Sequence, residues 1–144
     1  MNACIFCDIL AGRAPAEFVY RDEWCAAFMD IRPVNPGHVL VVPIVHTALL
    51  TEVDETSTRQ MLWVGQQVDA ALRESGIRCE AVNLFLADGR AAGQDVMHVH
   101  LHVIPRFRGD GHHLRFSPAY FKSTPASELK KNAGLIRQRM ENRP

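Results

Sequence analysis

Hydrophobic and polar residues follow two different periods along the chain, and these periods divide it into predicted strands and helices. Apolar or strictly alternating runs predict strands over residues 18–20, 24–29, 38–43, 81–87 and 98–105. Helical spacing of apolar residues predicts helices over residues 4–10, 56–75 and 127–142, the last with Ser127 as its N-cap. This order predicts an α+β fold, in which an antiparallel sheet of about five strands carries one packed helix, with further helices at both ends.

The last predicted strand carries histidines at every second position before it stops at Pro105. These residues are His98, His100 and His102. Because successive side chains of a strand point to opposite faces, the histidines are expected to share one face and the aliphatic residues between them the other. Histidine binds metals and acts as acid, base or nucleophile, so two interpretations are open. The face could be a metal site, or it could be a nucleophile with two supporting histidines.

The loop before these histidines, residues 88–94, is rich in small residues. Gly89 and Gly93 bracket a turn whose backbone N–H groups can approach phosphate oxygens without obstruction by side chains. Alone, such a loop is typical of an ordinary connection that needs positive φ angles. Beside three histidines, it indicates phosphoryl chemistry with a histidine nucleophile.

Cys4 and Cys7 are separated by two residues near the N-terminus. A redox dithiol would be preceded by a strand, which is missing here, and two core positions of a short helix are an alternative. The pair could also be half of a zinc site, which needs two further nitrogen or sulfur ligands. His46 and His98 are the candidates for those ligands.

Composition limits the class of function. The chain has 144 residues, 47% of them hydrophobic and 22% charged, as in an ordinary globular protein. Its 16 basic and 16 acidic residues give no general attraction to nucleic acid or anionic membranes, so neither is expected as a partner. No apolar run approaches the ~20 residues of a membrane span, and the N-terminus lacks a signal-peptide layout. The predicted location is therefore the cytoplasm.

The run from His98 to Ile104 resembles the signature of the histidine triad (HIT) family, in which His-x-His-x-His precedes two apolar residues. Residues 28–31, 36–41 and 92–96 also resemble family motifs, in the same order. The N-terminal Cys-x-x-Cys is similar to that of bacterial-type members. The resemblance implies a single domain over residues 1–144, with a core over 4–106 and an extension over 107–144. It also implies a homodimer formed by joining two sheets.

The resemblance implies a role for each residue of the site. His100 would attack the α-phosphorus of a nucleotide conjugate and form a nucleotidyl-histidine intermediate, which water then hydrolyses. His102 would bond phosphate or the leaving group, His98 would orient the site, and His38 would support it. The implied nucleotide-binding residues are Phe28, Asp30, Ile31, Gly93, Gln94, Val96 and His102. The implied ligands of a structural Zn²⁺ are Cys4, Cys7, His46 and His98.

The implied substrates are dinucleoside polyphosphates or adenosine phosphoramidates, with AMP as the released group. The chain departs from the family pattern at Ala87, where members often carry Asn or Gln, and at Asp95, where better-known eukaryotic branches carry Ser or Thr. A carboxylate there would repel phosphate unless it is turned away or paired with Arg106 or Arg108. These departures leave open a second hypothesis, a nucleotide- or zinc-binding protein with little turnover.

Overall fold

Five strands form one antiparallel sheet in the computed structural model, which describes residues 4–143. The strands are β1 (Phe18–Arg21), β2 (Cys25–Met29), β3 (Val39–Pro43), β4 (Ala81–Phe85) and β5 (Leu101–Arg106). Their order across the sheet is β1-β2-β3-β5-β4, so β1 and β4 are the edges. The helices are α1 (Ile5–Leu10), α2 (Glu55–Glu74) and α3 (Ala126–Glu141). The predicted α+β fold is confirmed.

Helix α2 covers one face of the sheet. Asp54 caps its first turn, because the Asp54 carboxylate accepts a hydrogen bond of 2.9 Å from the Ser57 amide. The helix approaches the sheet most closely at Gly65, where an added Cβ would lie 3.0 Å from Leu101 Cδ2. Leu62, although apolar, is 59% exposed on the outer side of the helix. The residues of α2 that are buried are Ser57, Met61, Val64, Gly65, Val68 and Leu72.

The histidine segment differs from its predicted extent in two ways. Strand β5 begins only at Leu101, so His98 and His100 precede it. It also continues through Pro105, where the prediction ended it. Pairing with β3 stops at Val103, so Pro105 has a strand neighbour only in β4 and its missing N–H disrupts no central ladder.

The alternation of faces still holds through this segment. Val99, Leu101 and Val103 are buried in the core cluster that includes α2. On the opposite face, Phe6 of α1 packs edge-on against the rings of His98 and His100, with centroids 5.8 Å and 5.2 Å apart. The sheet therefore separates an apolar core from a layer that contains the histidines.

The first compact unit extends to His112, six residues beyond the predicted core. Asn35 Nδ2 donates to both Pro105 O and Asp110 Oδ2, at 2.9 Å each. Arg106 clamps the same carboxylate through Nε and Nη2, at 2.6 and 2.9 Å. This network fixes the chain after β5 and the loop that precedes β3.

The second compact unit spans His113–Pro144 and contains α3. The helix begins one residue before Ser127, and Pro125 is its N-cap, so the predicted cap is wrong. Apolar side chains of α3 are exposed: Leu129, Leu135, Ile136 and Met140. The unit carries seven lysines and arginines but two glutamates, so the neutral total conceals an uneven distribution of charge. The single domain over residues 1–144 stays a prediction.

None of the helices in the described part of the chain is long and apolar enough to cross a membrane. The cytoplasmic location stays a prediction.

Candidate active site and metal cluster

Four predicted metal ligands come together although they lie in three distant segments of the chain. The ligand atoms of Cys4, Cys7, His46 and His98 all lie within 4.8 Å of one another. His46 Nδ1 lies 3.3 Å from His98 Nδ1, and Cys7 Sγ lies 3.3 Å and 3.6 Å from these two nitrogens. Cys4 Sγ lies 3.5 Å from His98 Nδ1.

These spacings match tetrahedral zinc. With Zn–N bonds of about 2.0–2.1 Å and Zn–S bonds of about 2.3 Å, tetrahedral angles place two nitrogens ~3.3 Å apart and a nitrogen and a sulfur ~3.6 Å apart. His98 Nε2 donates to Pro43 O at 2.9 Å, which leaves Nδ1 as the ring's lone-pair nitrogen, facing the cluster. The donor set, with the bond to Pro43 that orients His98, therefore fits a structural zinc site with two thiolates and two imidazoles.

His100 is held in one tautomer by the backbone of His98. Its Nδ1 donates to His98 O at 2.8 Å, so the lone pair of His100 lies on Nε2. The side chain is only 2% exposed. The side chain of His98 serves the metal cluster, while its carbonyl serves His100.

His38 and His102 form a directed chain of hydrogen bonds. The amide of Val34 donates to His38 Nδ1 at 3.1 Å, so the proton of His38 lies on Nε2. His38 Nε2 then donates to His102 Nδ1 at 2.9 Å. His102 is left with an N–H at Nε2, and its ring centroid lies 4.9 Å from that of His100. These hydrogen bonds leave His102 as a neutral donor next to the ring of His100, which carries its lone pair on Nε2.

Burial favours the neutral form of these supporting histidines. It lowers the pKa of His102 to about 4, with further lowering by His100 and His38 and partial opposition from Asp30 and Asp95. Burial also lowers the pKa of His38, against the attraction of Asp30. Near neutral pH both rings are therefore uncharged donors and acceptors.

The side chain of Gln94 fixes the glycine loop through three hydrogen bonds to backbone groups. Its Oε1 accepts from the Gly89 amide at 2.7 Å, and its Nε2 donates to Ala48 O and Val96 O at 2.9 and 3.0 Å. The residue is 3% exposed. Because both ends of the amide are engaged within the protein, Gln94 shapes the loop, and the backbone of the loop is left for contact with a ligand. Gly93 adopts φ +90°, which glycine tolerates without strain.

Asp95 lies beside His100. The pairing with Arg106 or Arg108 that the sequence left open is not formed. Its Oδ1 lies 3.6 Å from His100 Nε2 and accepts from the Val96 amide at 2.9 Å. The guanidinium of Arg106 is bound to Asp110. Arg108 contacts Glu80, through its backbone amide.

The predicted ribose and base contacts differ in accessibility. Asp30 is partly buried, and its carboxylate lies 3.7 Å from His38 Nδ1 while accepting from the Arg32 amide at 2.8 Å. Phe28 is 2% exposed and packs between Phe6 and Phe18, so it lies in the core. Ile31 is 87% exposed and can contact a ligand.

A family model for the HIT domain matches residues 11–109. The chain belongs to the histidine triad family. An uncharacterised HIT-like protein of Mycobacterium tuberculosis is 44% identical over 107 residues, 74% of each chain. An Arabidopsis thaliana HIT-family protein named as an adenylylsulfatase is 33% identical over 110 residues, 76% of this chain and 55% of the other.

Solved structures of HIT proteins share the fold. A zinc-bound histidine triad protein from Mycobacterium smegmatis is 44% identical and aligns with TM-score 0.74 over 81% of this chain and 84% of its own. A histidine triad nucleotide-binding protein from Candida albicans is 26% identical, with TM-score 0.84 over 96% of this chain and 98% of its own. This similarity supports the α+β fold of the HIT family.

The sequence patterns did not predict two features of the site. Phe6 packs on two histidines, but a single phenylalanine in a short helix carries no signal of such contact. The network of Asn35, Arg106 and Asp110 was also missed. Its members are separated by 75 residues at most, and only the Arg106–Asp110 spacing is local.

The lowered pKa of His102 predicts a dependence of stability on pH. As the pH falls below about 6.5, His102 takes up a proton in the unfolded chain but resists it in the folded protein until about pH 4. The free energy of unfolding should therefore decline as the pH falls through this window. We expect a shallower decline in His102→Gln, measured by urea denaturation at several pH values. His113→Gln, at an exposed histidine, is the control, and equal slopes in all three proteins would contradict the expectation.

Proposed function

We propose that the protein is a nucleotide hydrolase or transferase that cleaves the α-phosphate bond of adenylyl conjugates through a covalent intermediate on His100. The observation that carries the proposal is the hydrogen bond from His100 Nδ1 to His98 O. It leaves the lone pair of His100 on Nε2, as a nucleophile requires. The substrates are dinucleoside polyphosphates or adenosine phosphoramidates.

In the first step, the Nε2 lone pair of His100 forms a bond to the α-phosphorus as the bond from phosphorus to the leaving group breaks. His102 donates its Nε2–H to a phosphate oxygen, where negative charge accumulates. His38 keeps the donor of His102 in place through its own Nε2–H. In the second step, water attacks the phosphorus, releases AMP and returns the lone pair to His100.

The loop before the histidines binds the phosphate by its backbone, from Gly93 to Val96. Gln94 fixes that backbone. Asp30 accepts a ribose hydroxyl, and exposed Ile31 contacts the base. Phe28 supports the site from the core. The relatives support this assignment, since one is named an adenylylsulfatase and another a nucleotide-binding protein.

Cys4, Cys7, His46 and His98 bind one structural zinc ion, as supported by the zinc-bound relative from Mycobacterium smegmatis. The ion supplies a crosslink between the segment before α1, α1 itself and two later segments, without a part in the reaction. These four residues thereby hold His98 and its carbonyl, which orients His100.

The active protein is a homodimer in which the edge strands β4 pair. Strand β4 matches β5 at five consecutive positions and is therefore regular, and Leu84 on it is 45% exposed. The other edge, β1, contains an irregularity between Phe18 and Tyr20. Such irregularities disfavour pairing with another strand, so β4 is the better edge for joining two sheets.

Mass spectrometry after an alkaline quench, which preserves a phosphorus–nitrogen bond to histidine, tests the covalent step. After brief incubation with an adenosine phosphoramidate or a dinucleoside polyphosphate, the wild-type protein should carry a transient mass increase of one adenylyl group on His100. His100→Ala should carry none and should lose at least ~10³-fold in turnover, since the nucleophile is gone.

His113→Ala removes an exposed histidine and serves as the matched control, with an adduct expected at the wild-type level. AMP binding without adduct or turnover for either substrate class would contradict the proposal and favour a binding protein.

Metal analysis tests the zinc site. We expect about one zinc per chain in protein purified without chelator, as four N and S ligands at tetrahedral spacing bind zinc tightly. Cys7→Ser should lower the zinc content to a small fraction and lower the melting temperature. Cys79→Ser, outside the cluster, should keep both, and zinc well below one equivalent in the wild type would refute the site.

Light scattering coupled to size exclusion tests the dimer. The wild type should elute with the mass of two chains, and Leu84→Lys should shift it toward one, because a buried lysine opposes pairing of β4. Val19→Lys places the same charge at a 52% exposed valine on the other edge strand, β1, and should leave the mass unchanged. A dimer that resists Leu84→Lys but dissociates on Val19→Lys would place the interface at β1.

A further inference from the structure

Asp95 places a carboxylate at the nucleophile. Its Oδ1 lies 3.6 Å from His100 Nε2, the nitrogen that carries the lone pair. A group expelled in line leaves from the side of the phosphorus opposite Nε2, and it is still within about one Debye length, ~10 Å, of this oxygen. Asp95 is therefore close enough to sense the charge of a leaving group.

The same carboxylate oxygen lies where the backbone of the loop is proposed to bind a phosphate. Asp95 Oδ1 accepts the Val96 amide at 2.9 Å, and that amide belongs to the backbone proposed to bind phosphate. The Asp95 side chain is 68% exposed, whereas that of His100 is 2% exposed. The exposed carboxylate can thus rotate toward solvent when a substrate binds. After that rotation it still lies at the entrance to the site.

Among residues 4–143, no lysine or arginine nitrogen lies within 4 Å of the Asp95 carboxylate. Arg106, the cation considered from sequence, is engaged by Asp110. The neighbouring rings of His38 and His102 are partners of each other and are uncharged near neutral pH. A negative charge at this position therefore acts on the ligand itself.

We propose that Asp95 is a specificity-determining residue that selects substrates by the charge of the leaving group. It disfavours leaving groups that bring a further phosphate next to the α-phosphorus, and it favours amines that become cationic. The inference rests on the proposed function, since it concerns which adenylyl conjugates the His100 site accepts.

The chemistry of the two substrate classes explains the selection. With a phosphoramidate, the bond from phosphorus to His100 Nε2 forms and the phosphorus–nitrogen bond breaks with its electron pair going to nitrogen. That nitrogen takes up two protons from water and leaves as an ammonium ion. Asp95 attracts that cation. With a dinucleoside polyphosphate, the leaving group is a nucleotide polyanion, which Asp95 repels in both bound and departing states.

The test compares kcat/KM for a primary-amine adenosine phosphoramidate and for diadenosine tetraphosphate. Asp95→Asn keeps the shape and removes the charge. We expect the preference for the phosphoramidate to fall by about tenfold or more in Asp95→Asn, mainly through faster cleavage of the tetraphosphate. Asp95→Ser should give the same direction of change, which guards against an effect peculiar to asparagine.

Glu23→Gln removes an equal charge from the exposed turn between β1 and β2 and should leave the preference unchanged. Added salt should raise cleavage of the tetraphosphate in the wild type more than in Asp95→Asn, because it screens the repulsion. An equal gain for both substrates, or no change in their ratio, would overturn the inference. Absence of any adduct on His100 in the wild type would instead overturn the proposed function.

Discussion

His98 is the residue on which the rest of the site depends, since its two ring nitrogens and its carbonyl each have a different partner. Nδ1 faces the two cysteines and His46, Nε2 donates to Pro43 on the neighbouring strand, and the carbonyl accepts the proton of His100 Nδ1. A shift of this one residue would change the metal cluster, the contact with β3 and the tautomer of His100 together. Its burial and its packing against Phe6 restrict such a shift.

The two faces of the sheet separate the apolar core from the polar groups of the site. The aliphatic residues between the histidines pack against α2, and Gly65 permits the close approach that seals this core. The opposite face can then hold buried imidazoles, each with hydrogen-bond partners that offset its removal from water. His100 is thereby held just before β5 and its neighbour His102 within that strand.

Periodicity was enough to predict the strands, α2 and the shared face of the three histidines, because local alternation determines which side chains are buried. The family resemblance predicted the four metal ligands that the fold brings together. It did not reveal that the Gln94 side chain is bound by the backbone of Gly89 and Ala48, that Phe28 lies in the core, or that Arg106 binds Asp110. Each of these depends on competition among several possible partners in three dimensions, which spacing along the chain does not resolve.

The bond between His100 and the His98 carbonyl gains importance in the proposed reaction. When Nε2 bonds to phosphorus while Nδ1 keeps its proton, the imidazole ring becomes positively charged. The Nδ1–H bond to the carbonyl is then charge-assisted and stronger than in the free protein. Since this bond strengthens as the bond to phosphorus forms, it favours the transition state over the ground state, which is the condition for faster chemistry.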